Sequence, residues 1–241
     1  CNAGEEGLGN LKGVHKICED YGDRMERFCT FDSSLSSIVD RAVGSKRFRV
    51  RVRTRGGHSY DDFGNDNAIA GLASLVGELY GIRVPEGGKT TYNVGMISGG
   101  TSVNTIAQEA EMLYEFRSDR RENLEYMERQ FMKVIDRGKS EGMDVSFKVI
   151  GVRPCEGQVD PKRKQALSDW AHRVVEEMTG QAPKHCAGST DCNIPLSLGI
   201  PSVCVGSFRG AGAHTREEYV ETDSLEEGYK VAFGMIFGRR D

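Results

Sequence analysis

Two adjacent acids, Glu5 and Glu6, stand between Gly4 and Gly7 in a loop-like run near the start of the chain. Neighbouring carboxylates repel, so one is easily held protonated or kept ionised by a cation. That combination suits a metal ligand beside a general base. His214 is a second candidate, set in Gly210-Ala211-Gly212-Ala213-His214-Thr215-Arg216. Glycines there allow close backbone approach, and imidazole is the commonest metal ligand. His58, in Gly56-Gly57-His58-Ser59, has a similar setting. Each has an ordinary alternative, an exposed acidic loop or a surface-loop histidine. Asp191, in Gly188-Ser189-Thr190-Asp191-Cys192-Asn193, reads equally well as the cap of a following helix. His15 and His172 fall within helical patterns and read as structural. No cysteine has a histidine in a nucleophile motif.

These residues need elements to hold them. Leu11, Val14, Ile17 and Cys18 give a helical pattern within 8–28 that ends near Tyr21-Gly22, and a short strand follows at 28–31. Phe48, Val50 and Val52 alternate with Arg47, Arg49, Arg51 and Arg53, the period of a half-buried strand. The arginines suggest the solvated face of an edge strand, where positive charge discourages aggregation, rather than a nucleic-acid surface. A helix over 66–80, strands at 91–97 and 110–116, a helix at 121–137 and a strand at 145–152 complete a β-α-β-β-α-β order over about 43–155. That is the order of a ferredoxin-like sandwich. Asp160, Pro161 and Gly180 read as cap, first residue and stop of a helix that carries Leu167, Trp170, Val174, Val175 and Met178 on one face. A buried strand of parallel type at 201–205, a glycine-rich loop at 206–213 and a last helix at 223–237 follow. The simplest organisation is an α/β domain of 1–42 and 156–241, interrupted by a ferredoxin-like insert at 43–155.

Composition bounds the partners. The 241 residues carry 32 basic and 36 acidic side chains, for a formal charge of −4. That balance argues against a nucleic-acid or anionic-membrane binder. No apolar run approaches the roughly 18 residues of a membrane span. Seven cysteines, without CxxC pairs, suggest reduced thiols and a cytoplasmic setting. Glycine is high, 30 residues against a usual ~7%, which suggests tight loops around a site. The chain opens on Cys1 in a loop-like run, as expected for the C-terminal part of something longer.

The motifs gain force in their order. Asn2-Ala3-Gly4-Glu5-Glu6-Gly7 with Gly9, then Phe31-Asp32, then Arg53 with Gly56-Gly57-His58-Ser59 and Asn67-Ala68-Ile69, begin the series. Gly99-Gly100-Thr101-Ser102-Val103-Asn104, Phe116-Arg117-Ser118-Asp119, the 188–193 run, Gly199-Ile200-Pro201 and Gly212-Ala213-His214-Thr215 continue it. Over nearly the whole chain this series resembles the zinc-dependent aminopeptidase/deacylase superfamily, which includes acetylornithine deacetylase, succinyl-diaminopimelate desuccinylase, aminoacylase, peptidase T and glutamate carboxypeptidase.

The resemblance implies a catalytic α/β/α domain with two zinc ions, cobalt or manganese being substitutes, and an inserted lid that forms a homodimer. It implies Glu5 as general base, Glu6, Asp32 and His214 as metal ligands, and His58 as a lid histidine that reaches the site of the other protomer. Asn104 and Arg117 match groups that hold a substrate carboxylate, and Asp191 and Asn193 are expected at the substrate site. The implied substrate is a small peptide or an N-acyl amino acid. The family's early segment, with its His-x-Asp motif and bridging aspartate, has no counterpart here. The expectation is therefore an active parent enzyme and a poorly active chain on its own. Two other readings account for part of the sequence: a non-catalytic dimerisation module descended from such an enzyme, and a ferredoxin-like ligand-binding regulatory domain. The second explains 43–155 but not Glu5-Glu6 or His214.

Overall fold

A computed structural model describes residues 2–5, 7–213 and 215–238. The chain divides into two units, Cys1–Val43 with Arg153–Asp241, and Gly44–Val152. The first helix, α1 (Lys12–Tyr21), is shorter than its apolar pattern. Leu11 enters it at φ 64°, a left-handed turn that stops propagation backwards, and a 3₁₀ turn at Gly22–Arg24 follows it. Strands β1 (Phe28–Phe31) and β2 (Ser37–Ala42) come next. The second unit then runs β3 (Gly44–Arg53), β4 (Gly57–His58), α2 (Ala68–Tyr80), β5 (Thr90–Gly99), β6 (Thr105–Ile106), β7 (Glu109–Ser118), α3 (Arg121–Ser140) and β8 (Asp144–Arg153). The chain returns to the first unit with α4 (Pro161–Thr179), β9 (Lys184–Gly188), α5 (Asn193–Ser197), β10 (Ser202–Val205), β11 (Arg209–Ala211), β12 (Tyr219–Glu221) and α6 (Leu225–Phe237).

In the first unit the sheet order is β1-β10-β2-β9, with β1 parallel to β10, β2 antiparallel to β10 and β9 parallel to β2. Strand β10 is buried along its whole length. Val203 and Val205 pack with Leu167, Trp170, Val174 and Val175 of α4 and with Val231 and Met235 of α6. Cys204 points the other way, toward Cys192, Leu196 and Val39. Helix α5 also meets α1, where Ile194 packs with Val14 and Cys18. Helices thus cover both faces, which is why this strand reads as continuously apolar rather than alternating. The caps of α4 are as the sequence suggests. Asp160 accepts from the amides of Lys162 and Arg163, and Gly180 closes the helix at φ 69°.

The second unit has sheet order β5-β7-β3-β8, the ferredoxin-like arrangement, with β7 antiparallel to both β5 and β3. Its core lies on one face only. Phe48, Val50, Met112, Tyr114 and Phe116 meet Leu72, Leu75 and Leu79 of α2 and Met127, Phe131 and Ile135 of α3. Phe131 stacks on Phe48 with ring centroids 4.1 Å apart. Among the described residues no helix is long and apolar enough to cross a membrane.

The arginine strand is not an edge. β3 lies between β7 and β8, and its arginines are balanced by glutamates on the neighbouring strand. Arg47 faces Glu115 at 3.2 Å, Arg51 faces Glu111 at 2.8 Å and Arg53 faces Glu109 at 3.1 Å. Directly opposed unlike charges stabilise a strand pair, and here they replace repulsion among four arginines. Burial alone would push the Glu115 carboxyl up, but Arg117 and Arg47 outweigh it and hold it below the usual carboxylate range. A carboxylate with a depressed folded pKa stabilises the fold above its unfolded pKa of roughly 4.3, and that contribution is lost as pH falls through the folded value. Glu115→Gln should therefore lower stability at pH 7 by up to about 1 kcal/mol, since the pair is partly solvated. The loss should vanish in acid. Urea unfolding at neutral and acid pH checks it, and an equal loss at both would show that charge is not the cause.

Candidate active site

The N-terminal loop is held against the start of α1. The amides of Lys12 and Gly13 donate to the carbonyls of Gly4 and Ala3 at 3.2 and 2.9 Å. A Cβ at residue 13 would lie 2.5 Å from the Ala3 carbonyl oxygen, so this approach requires glycine. From that loop, Glu5 reaches the buried guanidinium of Arg153. Nη1 of Arg153 donates to Glu5 Oε1 at 3.0 Å and to Ser189 Oγ at 3.1 Å, and Nη2 donates to the Glu5 carbonyl at 2.5 Å. The arginine and glutamate side chains are 5% and 19% exposed, so the pair is largely out of water.

Asp191 lies beside it. The Asn2 amide donates to Asp191 Oδ2 at 2.7 Å, while Asp191 Oδ1 is buried with no hydrogen-bond partner among the described residues. Burial pushes the Asp191 carboxyl up, the Asn2 amide pulls it back, and the charge of Asp32 adds to the rise. Asp191 does not cap α5, whose first flanking residue is Cys192 with no side-chain cap. Its carboxylate is committed to Asn2 instead. Asn193 is fully buried, accepts from the Thr190 amide and donates to the carbonyls of Val43 and Pro154, each at 2.9 Å. It ties three backbone segments together.

Asp32 follows the C-terminal end of β1, exposed, with its amide bonded to the Val205 carbonyl at 3.1 Å. Ser33 beside it sits at φ 101°, a value strained for any residue but glycine. Glu6 and His214 lie outside the described residues. Among the described residues no group of three or more His, Cys, Asp or Glu side chains is arranged to hold a metal ion. The exposed carboxylate of Asp32 and the orphaned oxygen of Asp191 are nonetheless the donors that a divalent cation takes, and in that sense the residues fit one. Cysteine chemistry is disfavoured. Burial pushes the Cys29 thiol up to about 11 and Cys204 to about 12.

The second unit carries its own cluster. The short β4–β6 pair sets His58 opposite Thr105, and the Ser59 amide donates to the Asn104 carbonyl at 3.0 Å. Gly57 makes the turn possible, since at φ 144° a Cβ there would meet the Asp62 side chain at 2.6 Å. His58 is half exposed, with Nδ1 turned toward the amides of Tyr60 and Asp61 at 3.4 and 3.3 Å. Arg117 is not with them. It lies eight residues along β7 from Glu109, about 26 Å at 3.3 Å per residue, and its guanidinium grips Glu115 at 2.8 and 3.2 Å. The structure thus brings together His58 and Asn104 in one unit, and Glu5 and Asp191 in the other. Arg153 had no signal in the sequence, and Asn2 and Ser189 stood inside the motifs without a role assigned to them.

Residues 42–143 match the family model of the peptidase dimerisation domain. That segment is 102 of the 241 residues, and over it the chain is similar to the dimerisation domain of M20 peptidases. The M20 match covers β3 through α3 of the second unit. A Haemophilus influenzae homolog of a p-aminobenzoyl-glutamate hydrolase is 34% identical over 119 residues, covering 49% of this chain and 26% of that protein. The aminopeptidase PepT of Bacillus cereus aligns over 98% of this chain and 62% of its own, with TM-score 0.72 and 22% identity. A tripeptidase from Staphylococcus aureus aligns over 94% and 60%, with TM-score 0.69 and 19% identity. The chain therefore spans about a quarter of the curated relative and three-fifths of these solved chains. At the level of the family, the relatives are peptidases and amidohydrolases.

Proposed function

We propose that this chain forms part of a metal-dependent hydrolase that cleaves the amide bond of a small peptide or an N-acyl amino acid, with Glu5 as general base. The observation that carries the reading is a glutamate on a glycine-rich loop, clamped by a buried arginine beside Asp191. Glu6, Asp32 and His214 are the residues that would hold metal, zinc by preference. When bound, such an ion makes water acidic and polarises an amide oxygen. Glu5 takes the water's proton and passes it to the leaving nitrogen. Arg153 and Ser189 keep its carboxylate oriented through Oε1. The names of the relatives, an aminobenzoyl-glutamate hydrolase, an aminopeptidase and a tripeptidase, divide between the two substrate classes. The dimerisation domain supports a homodimer through the second unit.

In that dimer His58, with Asn104 beside it, serves the partner's site. A His58→Ala polypeptide and a Glu5→Gln polypeptide should then complement each other when protomers are exchanged. One site of each mixed dimer is whole, so activity per mixed dimer should recover to about half of wild type. Hydrolysis of dipeptides and of p-aminobenzoyl-glutamate by the polypeptide that carries these residues, loaded with zinc, is the assay. Activity no higher than the sum of the two parents, with mixed dimers present, would place His58 in its own protomer's site or outside catalysis. The alternative of a non-catalytic dimerisation module requires no hydrolysis of either substrate class under any metal.

A further inference from the structure

His58 follows two glycines at positive φ, Gly56 at 67° and Gly57 at 144°. Paired glycines give the freest backbone a chain can have, so a side chain placed after them needs other groups to fix it. The β4–β6 ladder, two residues on each strand, is too short to do this alone. Two residues of the following loop supply the rest. The Asp62 carboxylate accepts from the His58 amide at 2.7 Å, and the Asp62 amide donates to the His58 carbonyl at 2.9 Å. Residues 58–62 are thereby closed into a ring by two bonds between its ends. Asn65 closes the next turn. Its backbone amide donates to the Asp62 carbonyl at 3.1 Å, and its side-chain amide donates to the Gly56 carbonyl at 2.7 Å.

The ring decides where the imidazole can go. It turns the amides of Tyr60 and Asp61 toward Nδ1, at 3.4 and 3.3 Å, so that Nδ1 faces the inside of the turn and Nε2 is the nitrogen left to meet a ligand. The Asp61 carboxylate lies 3.3 Å from the same Nδ1, but it is 76% exposed and so a weak hold. The Asp62 carboxylate bonds the backbone of His58, and a hydrogen bond to an ionised acceptor is about twice as strong as a neutral one. Its side chain also lies where a Cβ on residue 57 would be, 2.6 Å away, so the glycine and the aspartate belong to one device.

We propose that Asp62 is the positioning residue of His58, fixing through the backbone the direction in which Nε2 is presented. The inference rests on the reading of His58 as a group of the hydrolytic site. Asp62 itself touches neither substrate nor the imidazole. Its effect on rate is indirect, and it is large because a misplacement of about 1 Å can cost about 10²-fold.

The test is a double-mutant cycle on peptide hydrolysis by the zinc-loaded polypeptide that carries these residues. Asp62→Ala should lower kcat by about 10- to 100-fold and leave KM nearly unchanged. Asp62→Asn keeps an oxygen for the His58 amide and should restore most of that loss. In the His58→Ala background, Asp62→Ala should cost nothing more, because no ring is left to direct. Equal losses in both backgrounds overturn the proposal, since Asp62 then supports the loop and not the histidine. Full turnover by His58→Ala alone is a different failure: it overturns the reading of His58, and the proposal with it. A second readout needs no substrate. The Hα–Hβ couplings of His58, measured by NMR on this chain, should report one rotamer in the wild type and in Asp62→Asn, and averaged rotamers in Asp62→Ala. Averaged rotamers in the wild type, or a single one in Asp62→Ala, overturn the proposal whatever the kinetics.

Discussion

Replacing Glu5 by glutamine should lower kcat by about 10²- to 10⁴-fold, the usual contribution of a positioned general base, and leave metal content and KM nearly unchanged. Glutamine keeps the size of the side chain and an oxygen for Arg153 Nη1, which donates to Oε1 at 3.0 Å in the native pair. The Nη2 bond goes to the Glu5 carbonyl and does not depend on the side chain at all. What is lost is the ability to accept a proton. A fall in kcat and kcat/KM together is the signature of an interaction made only in the transition state. Steady-state kinetics beside elemental analysis for zinc are the measurement. Near-normal turnover would assign the base elsewhere, and a parallel loss of zinc would mean that residue 5 is a ligand.

Much of the fold was legible because its signals are local. Phe48, Val50 and Val52 alternate, α2 and α3 repeat at helical spacing, and Asp160-Pro161 and Gly180 mark both ends of α4. What depends on pairing was not. Strand β2 carries no clean alternation, with Ile38 and Val39 buried side by side, and β9 is a five-residue Lys-His-Cys-Ala-Gly run without an apolar pattern. The glycine-rich loop holds β11, which exists only because β12 pairs with it. The internal position of β3 was readable only by setting its arginines against the alternating Glu109, Glu111 and Glu115, which presumes a register that one strand does not contain. The site follows the same division. Glu5, Asp32 and His58 stand in recognisable motifs. Arg153 reaches Glu5 across 148 positions and Asn2 reaches Asp191 across 189, and no spacing rule spans those distances.

Removing the guanidinium that holds Glu5 should cost the first unit about 3–5 kcal/mol, the penalty for leaving a buried charge without its partner. Arg153→Met is the direct variant, because methionine fills much of the same volume without charge or donors. Arg153 is 4% exposed and serves two oxygens of Glu5 and the hydroxyl of Ser189, so all three lose a donor at once. The loss of this cation beside the Glu5 carboxylate dominates the effect. Combining Arg153→Met with Glu5→Gln removes both charges, and a buried pair replaced by neutral groups is commonly close to neutral in stability. The double variant should therefore recover most of the deficit, leaving the cost of the donors lost at the Glu5 carbonyl and the Ser189 hydroxyl, about 1–3 kcal/mol. Denaturant unfolding of the wild type, the two single variants and the double variant gives the coupling energy. If the double variant is as unstable as Arg153→Met alone, the arginine acts through its backbone contacts and not through the Glu5 charge. If Arg153→Met itself costs less than about 1 kcal/mol, the pair is solvated enough to behave as a surface salt bridge, and Arg153 does not hold Glu5 in place.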